Sequence, residues 1–385
     1  VLALRLARGA HPLVLLRRLL VAAAAAGVGF LLLCTLGYAI GHPAHPVPAL
    51  LRLLWCLVPL AATVQFAVAV ARTDPSTRPR PGLSAVGLGP ARLAATAAAS
   101  TTLSCTLGSM VALLVFLHLR GDLTGLPFDG RAAELLAADR PLPLAAVTML
   151  LALVPVTGAA ASAFALRPRT PKAPGTTAPA PPAGLPWGVA LTAVGLAVET
   201  YASRGAGRGL PLPGHPEIAP AGVLAGWLLT AAGLALAGPG LVHLCGFLLQ
   251  AVRPGAVRLL AGRTLQAEAG RIGRPLGILC ATASGLLAAT TLYSPYSPAT
   301  PAAPSFGPLT GLGAALVLAC TSATLLTAAL ESRQSRAPLT QALRHQGAPA
   351  QTLRTAAATR ALALAALFTP LTWTVATLAA TPLSP

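Results

Sequence analysis

Few side chains in this sequence can do chemistry, and where they stand limits what that chemistry is. Of 385 residues, 9 are Asp or Glu and 7 are His. The densest polar stretch lies between Arg120 and Arg140, where Asp122, Asp129, Glu134 and Asp139 are interleaved with Arg120, Arg131 and Arg140. Clustered carboxylates suit a hard cation, but the arginines make a solvated, locally paired face the expected state. No histidine or nucleophile stands beside them, so the parts of an enzyme site do not converge here. His42 and His45, in Gly-His-Pro-Ala-His-Pro, have ligand chemistry without a third ligand, and are expected in solvent. All six cysteines (Cys34, Cys56, Cys105, Cys245, Cys280 and Cys320) fall inside apolar runs with no CxxC, the pattern of small packing residues.

Glu199 is the exception, an acid inside an apolar run. An ionisable residue at membrane depth marks a functional site by default. Its position near the end of the run, beside Arg204, leaves a solvated side chain or a pair with that arginine, and the pair is the expected state. Gln65, His118 and His243 also interrupt apolar runs and are expected to serve helix packing.

The elements that carry these residues are set by hydropathy. Apolar residues make up 55% of the chain and charged residues 9%, more apolar surface than a soluble core of this length can bury. Nine spans follow: 19–40, 50–71, 93–118, 142–166, 187–202, 219–250, 275–293, 308–330 and 361–381. The first follows Arg17-Arg18 and outlasts a signal-peptide core, so it is expected to stay as an uncleaved span. Aromatic residues are only 4%, and spans built from Ala, Leu, Val and Gly predict close helix packing. Gly238-Pro239-Gly240 predicts a kink or break in the sixth span. Residues 131–138 predict a short surface helix. The fold class expected is an all-α polytopic membrane protein with about nine transmembrane helices in two related halves.

Charge orients the spans. With the N-terminus in the cytoplasm, segments 1–18, 72–92, 167–186, 252–274 and 332–360 lie inside and carry 21 of the 27 Lys/Arg. Only Arg52, Arg120, Arg131, Arg140, Arg204 and Arg208 are left outside, as the positive-inside rule requires. The same distribution explains the net charge of +18 without nucleic acid, which would need a basic face on a soluble domain.

Two of the inner segments resemble each other. Val86-Gly87-Leu88-Gly89-Pro90-Ala91-Arg92-Leu93 aligns with Gln346-Gly347-Ala348-Pro349-Ala350-Gln351-Thr352-Leu353, Gly on Gly and Leu on Leu. Each copy follows an apolar run ending in arginine, Arg72 in one case, Arg333 and Arg336 in the other, and precedes an Ala/Thr-rich run. The segment before the seventh span parallels the N-terminus, with Arg263 against Arg5 and Arg274 against Arg18. The resulting division is a first half at 1–166 (spans 1–4), a Pro-rich linker at 167–186, a connecting helix pair at 187–251 (spans 5 and 6), and a second half at 252–385 (spans 7–9).

This order of basic segment, span, span ending in arginines and short Gly-Ala-containing loop resembles the FtsX-like (MacB-type) permeases of ABC transporters. The likeness covers the layout of nearly the whole chain, in its ten-span version with an added helix pair. Where that family carries a folded domain after the first span of a half, this chain has the Pro-rich turns 41–48 and 294–307. The resemblance implies a permease subunit in the cell membrane, exporting or extracting a lipophilic or amphipathic compound, and itself no enzyme. No G-x-x-x-x-G-K-[ST] loop occurs, so ATP hydrolysis would fall to a separate ABC ATPase subunit.

The ATPase would dock on the two related loops, at Leu83, Val86, Gly87 and Arg92 in the first and Arg333, Arg336, Leu339, Leu343, Arg344 and Gly347 in the second. There apolar side chains at helical spacing stand beside arginines. The lipid bilayer and a second permease copy are the other partners implied. No cofactor, metal or catalytic residue is assigned. The alternative is a non-transporting membrane protein derived from a permease. An ion-coupled carrier fits less well, because acids are missing from the interiors of spans 1–4 and 6–9.

Overall fold

The structure, a computed structural model, describes residues 12–44, 46–73, 90–123, 130–134, 136–167, 182–204, 209–212, 215–251, 255–292, 308–347 and 349–380. The chain is an all-α polytopic membrane protein. Its helices are α1 (Pro12–Gly41), α2 (Pro46–Trp55), α3 (Leu57–Thr73), α4 (Pro90–Arg120), α5 (Leu144–Ala165), α6 (Gly184–Arg204), α7 (Ala221–Gln250), α8 (Ala256–Leu292), α9 (Pro308–His345) and α10 (Ala350–Ala380). Between α6 and α7 lies one small antiparallel hairpin, β1 (Gly209–Leu212) with β2 (His215–Pro220). Among the described residues, nine segments are long and apolar enough to cross a membrane, α2 and α3 counting as one. The α2/α3 break has a local cause. Pro59 has no N–H to give the carbonyl four residues back, at Trp55, which is where α2 stops.

Two compact units divide the chain. The first comprises Val1–Lys172 with Gly307–Cys320, the second Ala173–Phe306 with Thr321–Pro385.

In the first unit α1 packs on α4, and α5 packs on both. The approach is close because small residues meet. A Cβ placed on Gly108 would lie 2.7 Å from the Ala25 methyl, and one on Gly29 would lie 2.9 Å from that of Ala112. Leu33, Phe116, Val147 and Leu151 close the core beside them, and Ser109 donates to the Leu151 carbonyl at 3.1 Å.

The acidic stretch after α4 differs from expectation. Residues 131–134 and 136–139 form successive turns, not a helix, and Leu136 and Ala137 are buried. The cause is Arg120, itself only 4% exposed. Its Nη2 donates to the carbonyls of Ala137, at 3.2 Å, and Arg140, drawing the segment back over the end of α4. Ala137 adopts a φ of 50°, which no helix continues through. Arg140 extends the clamp to the Ile40 carbonyl at 2.6 Å, and Asp122 lies 3.5 Å from Arg120. Asp129 and His45 are outside the described residues. His42 donates or accepts through Nδ1 at the Tyr38 carbonyl, 3.1 Å away, and stacks on the Tyr38 ring.

The second unit is built on two antiparallel helix pairs. Gly188, Thr192 and Gly195 of α6 face Ala237, Gly233, Thr230 and Gly226 of α7, so closely that a Cβ on Gly195 would lie 2.6 Å from the Thr230 nitrogen. The next contact repeats the device, with Gly238 against Gly273 and Gly246 against Gly262 along α7 and α8. Van der Waals contact between small residues is what holds helices together where lipid offers no hydrophobic drive. Of the kink or break expected at Gly238-Pro239-Gly240, the break is absent, since α7 runs through it without interruption. Gly238 lies against Gly273 and Gly277 of α8, and Gly240 against Leu185 of α6. Leu265, Ala269 and Cys280 of α8 then pack with Phe368 and Val375 of α10, and Thr372 donates to the Cys280 sulfur at 3.1 Å.

Candidate functional site

Helices α8 and α9, with 37 and 38 residues, are each about 55 Å long at 1.5 Å per residue, well beyond a hydrocarbon core of about 30 Å. The surplus lies at their basic ends. The segment 252–274, expected to precede the seventh span, is from Ala256 onward one helix with it, and 331–345 likewise continues α9. The second loop is therefore mostly helix. The turn itself is short, closed by Gln346 N–H to Ala342 and Gly347 N–H to Arg344, both at 3.0 Å. Gly347 sits at φ +87°, the left-handed helix-ending position that glycine takes without strain.

On α8 the residues Ala261, Leu265, Ala269 and Ile272 form a buried stripe at helical spacing, and Glu268 lies on it, 7% exposed. A buried carboxylate needs a partner. Arg336 of α9 supplies it in fork geometry, with Nη2 2.6 Å from Oε2 and Nε against Oε1. The same guanidinium donates to the Ser332 hydroxyl and, at 3.2 Å, to the Ser332 carbonyl. Arg271 adds a longer contact to Ser335 at 3.4 Å. In the first unit Arg17, near the start of α1, donates to the hydroxyl of Thr73 at the end of α3, at 3.2 Å.

The expected docking residues therefore separate. Arg333 and Arg344 are exposed on the α9 extension, and Arg92 is exposed in the first turn of α4. Arg336 is engaged within the unit. Leu339 and Leu343 are helical, with side chains outside the described residues. Leu83, Val86 and Gly87 lie outside the described residues. The Glu268–Arg336 pair escaped sequence reading because 252–274 counted only as a basic segment. Its signal was Glu268, the one acid among five arginines.

Glu199 is a second site, and it is not solvated. It is 1% exposed on α6, where Oε1 accepts from the Thr230 hydroxyl of α7 at 3.2 Å and Oε2 has no hydrogen-bond partner among the described residues. The Arg204 side chain is outside the described residues. Gly226 makes the room, since a Cβ there would lie 2.9 Å from the Glu199 nitrogen. The spacing Gly195, Glu199, Ala202 against Gly222, Gly226, Thr230 was present in the sequence, but only the helix pairing shows that it faces inward.

Long apolar helices packed through glycines, with one charged pair where two of them leave the apolar zone, define a multi-pass integral membrane protein. Compared with known families, with curated proteins and with solved structures, the chain gave no match.

Proposed function

We propose that this chain is the membrane-spanning permease subunit of an ABC transporter of FtsX-like type, placed in the cell membrane with its N-terminus inside. A separate ATPase drives it to move a lipophilic or amphipathic compound. The observation that carries the reading is an arrangement that recurs in the two units. In the first, the leading long helix packs on the third, α1 on α4, and its basic start is bonded to the end of the second, Arg17 to Thr73. In the second unit α8 packs on α10, and the basic start of α8 is bonded to the end of α9, Glu268 to Arg336. The same pairings in the same chain order support two related halves, the layout on which the resemblance rests.

The ATPase contact would use the exposed arginines of the extension, Arg333 and Arg344, together with Arg92. Arg336 instead ties α9 to α8, so that a push on the extension reaches the spans. The test is purification of the tagged chain in mild detergent, with and without R333E and R344E, followed by identification of co-purifying proteins. These substitutions spare the Glu268–Arg336 pair. Recovery of an ATPase subunit that is lost in the double variant supports the reading. Recovery of none, under conditions that preserve a known ABC complex, favours a non-transporting protein derived from a permease.

A further inference from the structure

We infer that Glu199 is a proton-binding site, a carboxylic acid held neutral inside the α6–α7 pair whose proton exchanges with the aqueous phase at the end of α6. The ligand is the proton itself. The inference is independent of the ATPase and of any transported compound.

The geometry carries it. The carboxyl is sealed between two helices whose backbones nearly touch at Gly195 and Gly226, so no solvent shell surrounds it. One hydroxyl, from Thr230, reaches Oε1 at 3.2 Å, and among the described residues nothing reaches Oε2. A carboxylate with a single neutral donor in such a place would be uncompensated, whereas the protonated acid carries no charge. Among the described residues no charged side chain is bonded to it. On α7 the imidazole of His243 is thirteen residues from Thr230, about 20 Å along the helix. On α10, which also packs on α6, Arg354 and Arg360 fall in the first eleven residues. On α6 itself Tyr201 is 83% exposed and turned away, and the side chains of Arg204, His215 and Glu217 lie outside the described residues.

Access follows from position. Glu199 is five residues from Arg204, the last residue of α6, about 7.5 Å along the axis. A proton therefore has one turn and a half of helix to pass. A glutamine in this place would keep the shape and the Thr230 bond. Only the carboxyl can release a proton and take it up again.

The test uses the full chain reconstituted in lipid vesicles, as wild type, E199Q and T230V. Infrared difference spectra between wild type and E199Q at neutral pH should show the carbonyl stretch of a protonated carboxylic acid. The band should move down in D2O, and in T230V, where the hydroxyl donor is gone, it should move up. A membrane-soluble carbodiimide, which reacts with protonated carboxyls, should label a peptide containing Glu199 in wild type and lose that label in E199Q. Absence of the acid band at neutral pH together with absence of labelling would overturn the inference, because the group would then be ionised. A band insensitive to D2O would overturn it too, because the proton would be fixed. E199Q keeps the size of the side chain, and if it fails to fold, the T230V shift and the wild-type label still decide.

Discussion

Glu268 and Arg336 stand 68 positions apart in sequence, yet the guanidinium of one grips both carboxylate oxygens of the other. The pair lies where α8 and α9 leave the apolar zone, and Glu268 has nearly lost contact with water. Removing one partner strands the other, which for a largely buried pair costs on the order of 3 kcal/mol and less where solvent still reaches. E268Q and R336A should each lower the unfolding temperature in detergent by several degrees. The swapped pair E268R/R336E should recover part of the loss. Thermal unfolding of the three variants measures this, and equal stability of R336A and wild type would mean the pair contributes nothing.

The glycines make a second prediction with its own control. A methyl on Gly195 would lie 2.6 Å from the Thr230 nitrogen and 2.8 Å from the Gly226 carbonyl oxygen, both backbone atoms that cannot step aside. G195A should therefore separate α6 from α7 and destabilise the protein by about 1–3 kcal/mol. Gly285 of α8 has nothing among the described residues within 4 Å of the same position. G285A should be neutral or slightly stabilising, by up to about 1 kcal/mol from helix propensity. Detergent unfolding of both variants tests whether contact rather than glycine content matters.

Much of this was legible in the chain. Apolar runs of about membrane-spanning length anticipate the number of spans, and abundant Ala and Gly anticipate the close packing. Three features were not legible. The loop expected at 333–360 is largely helix, because hydropathy marks where an apolar run stops and not where the helix does. Gly238-Pro239-Gly240 reads as a kink or break, but α7 continues through it, with Gly238 against the α8 backbone and Gly240 against Leu185 of α6. The solvated alternative for Glu199 fails, since its burial depends on which face of α6 meets α7, while the Arg204 side chain lies outside the described residues. The last two concern a helix's partner, which composition along one segment does not encode.

Orientation is open to a direct measurement. All six native cysteines are buried, so a membrane-impermeant thiol reagent should leave the wild-type chain unlabelled in closed vesicles. Arg258 and Arg354 are exposed on the basic side, and Glu134 is exposed in the segment clamped by Arg120. In inside-out vesicles R258C and R354C should label and E134C should not, and right-side-out vesicles should reverse the pattern. Labelling of all three from one side would refute the nine-span arrangement.

The Arg120 clamp separates charge from shape. Its guanidinium reaches two carbonyls, those of Ala137 and Arg140, from a site 4% exposed, and so decides the fold of the segment over α4. Lysine keeps the charge but has no planar fork to serve both acceptors. R120K and R120A should both free the segment 130–140, and a protease added outside should then cut after Arg131 or Arg140 much faster than in wild type. D122N should change little, because Asp122 is 43% exposed in its side chain and lies 3.5 Å from the guanidinium, an ion pair that solvent screens. If R120K resisted cleavage as well as wild type, charge alone would suffice and the two carbonyl bonds would not be what folds the segment.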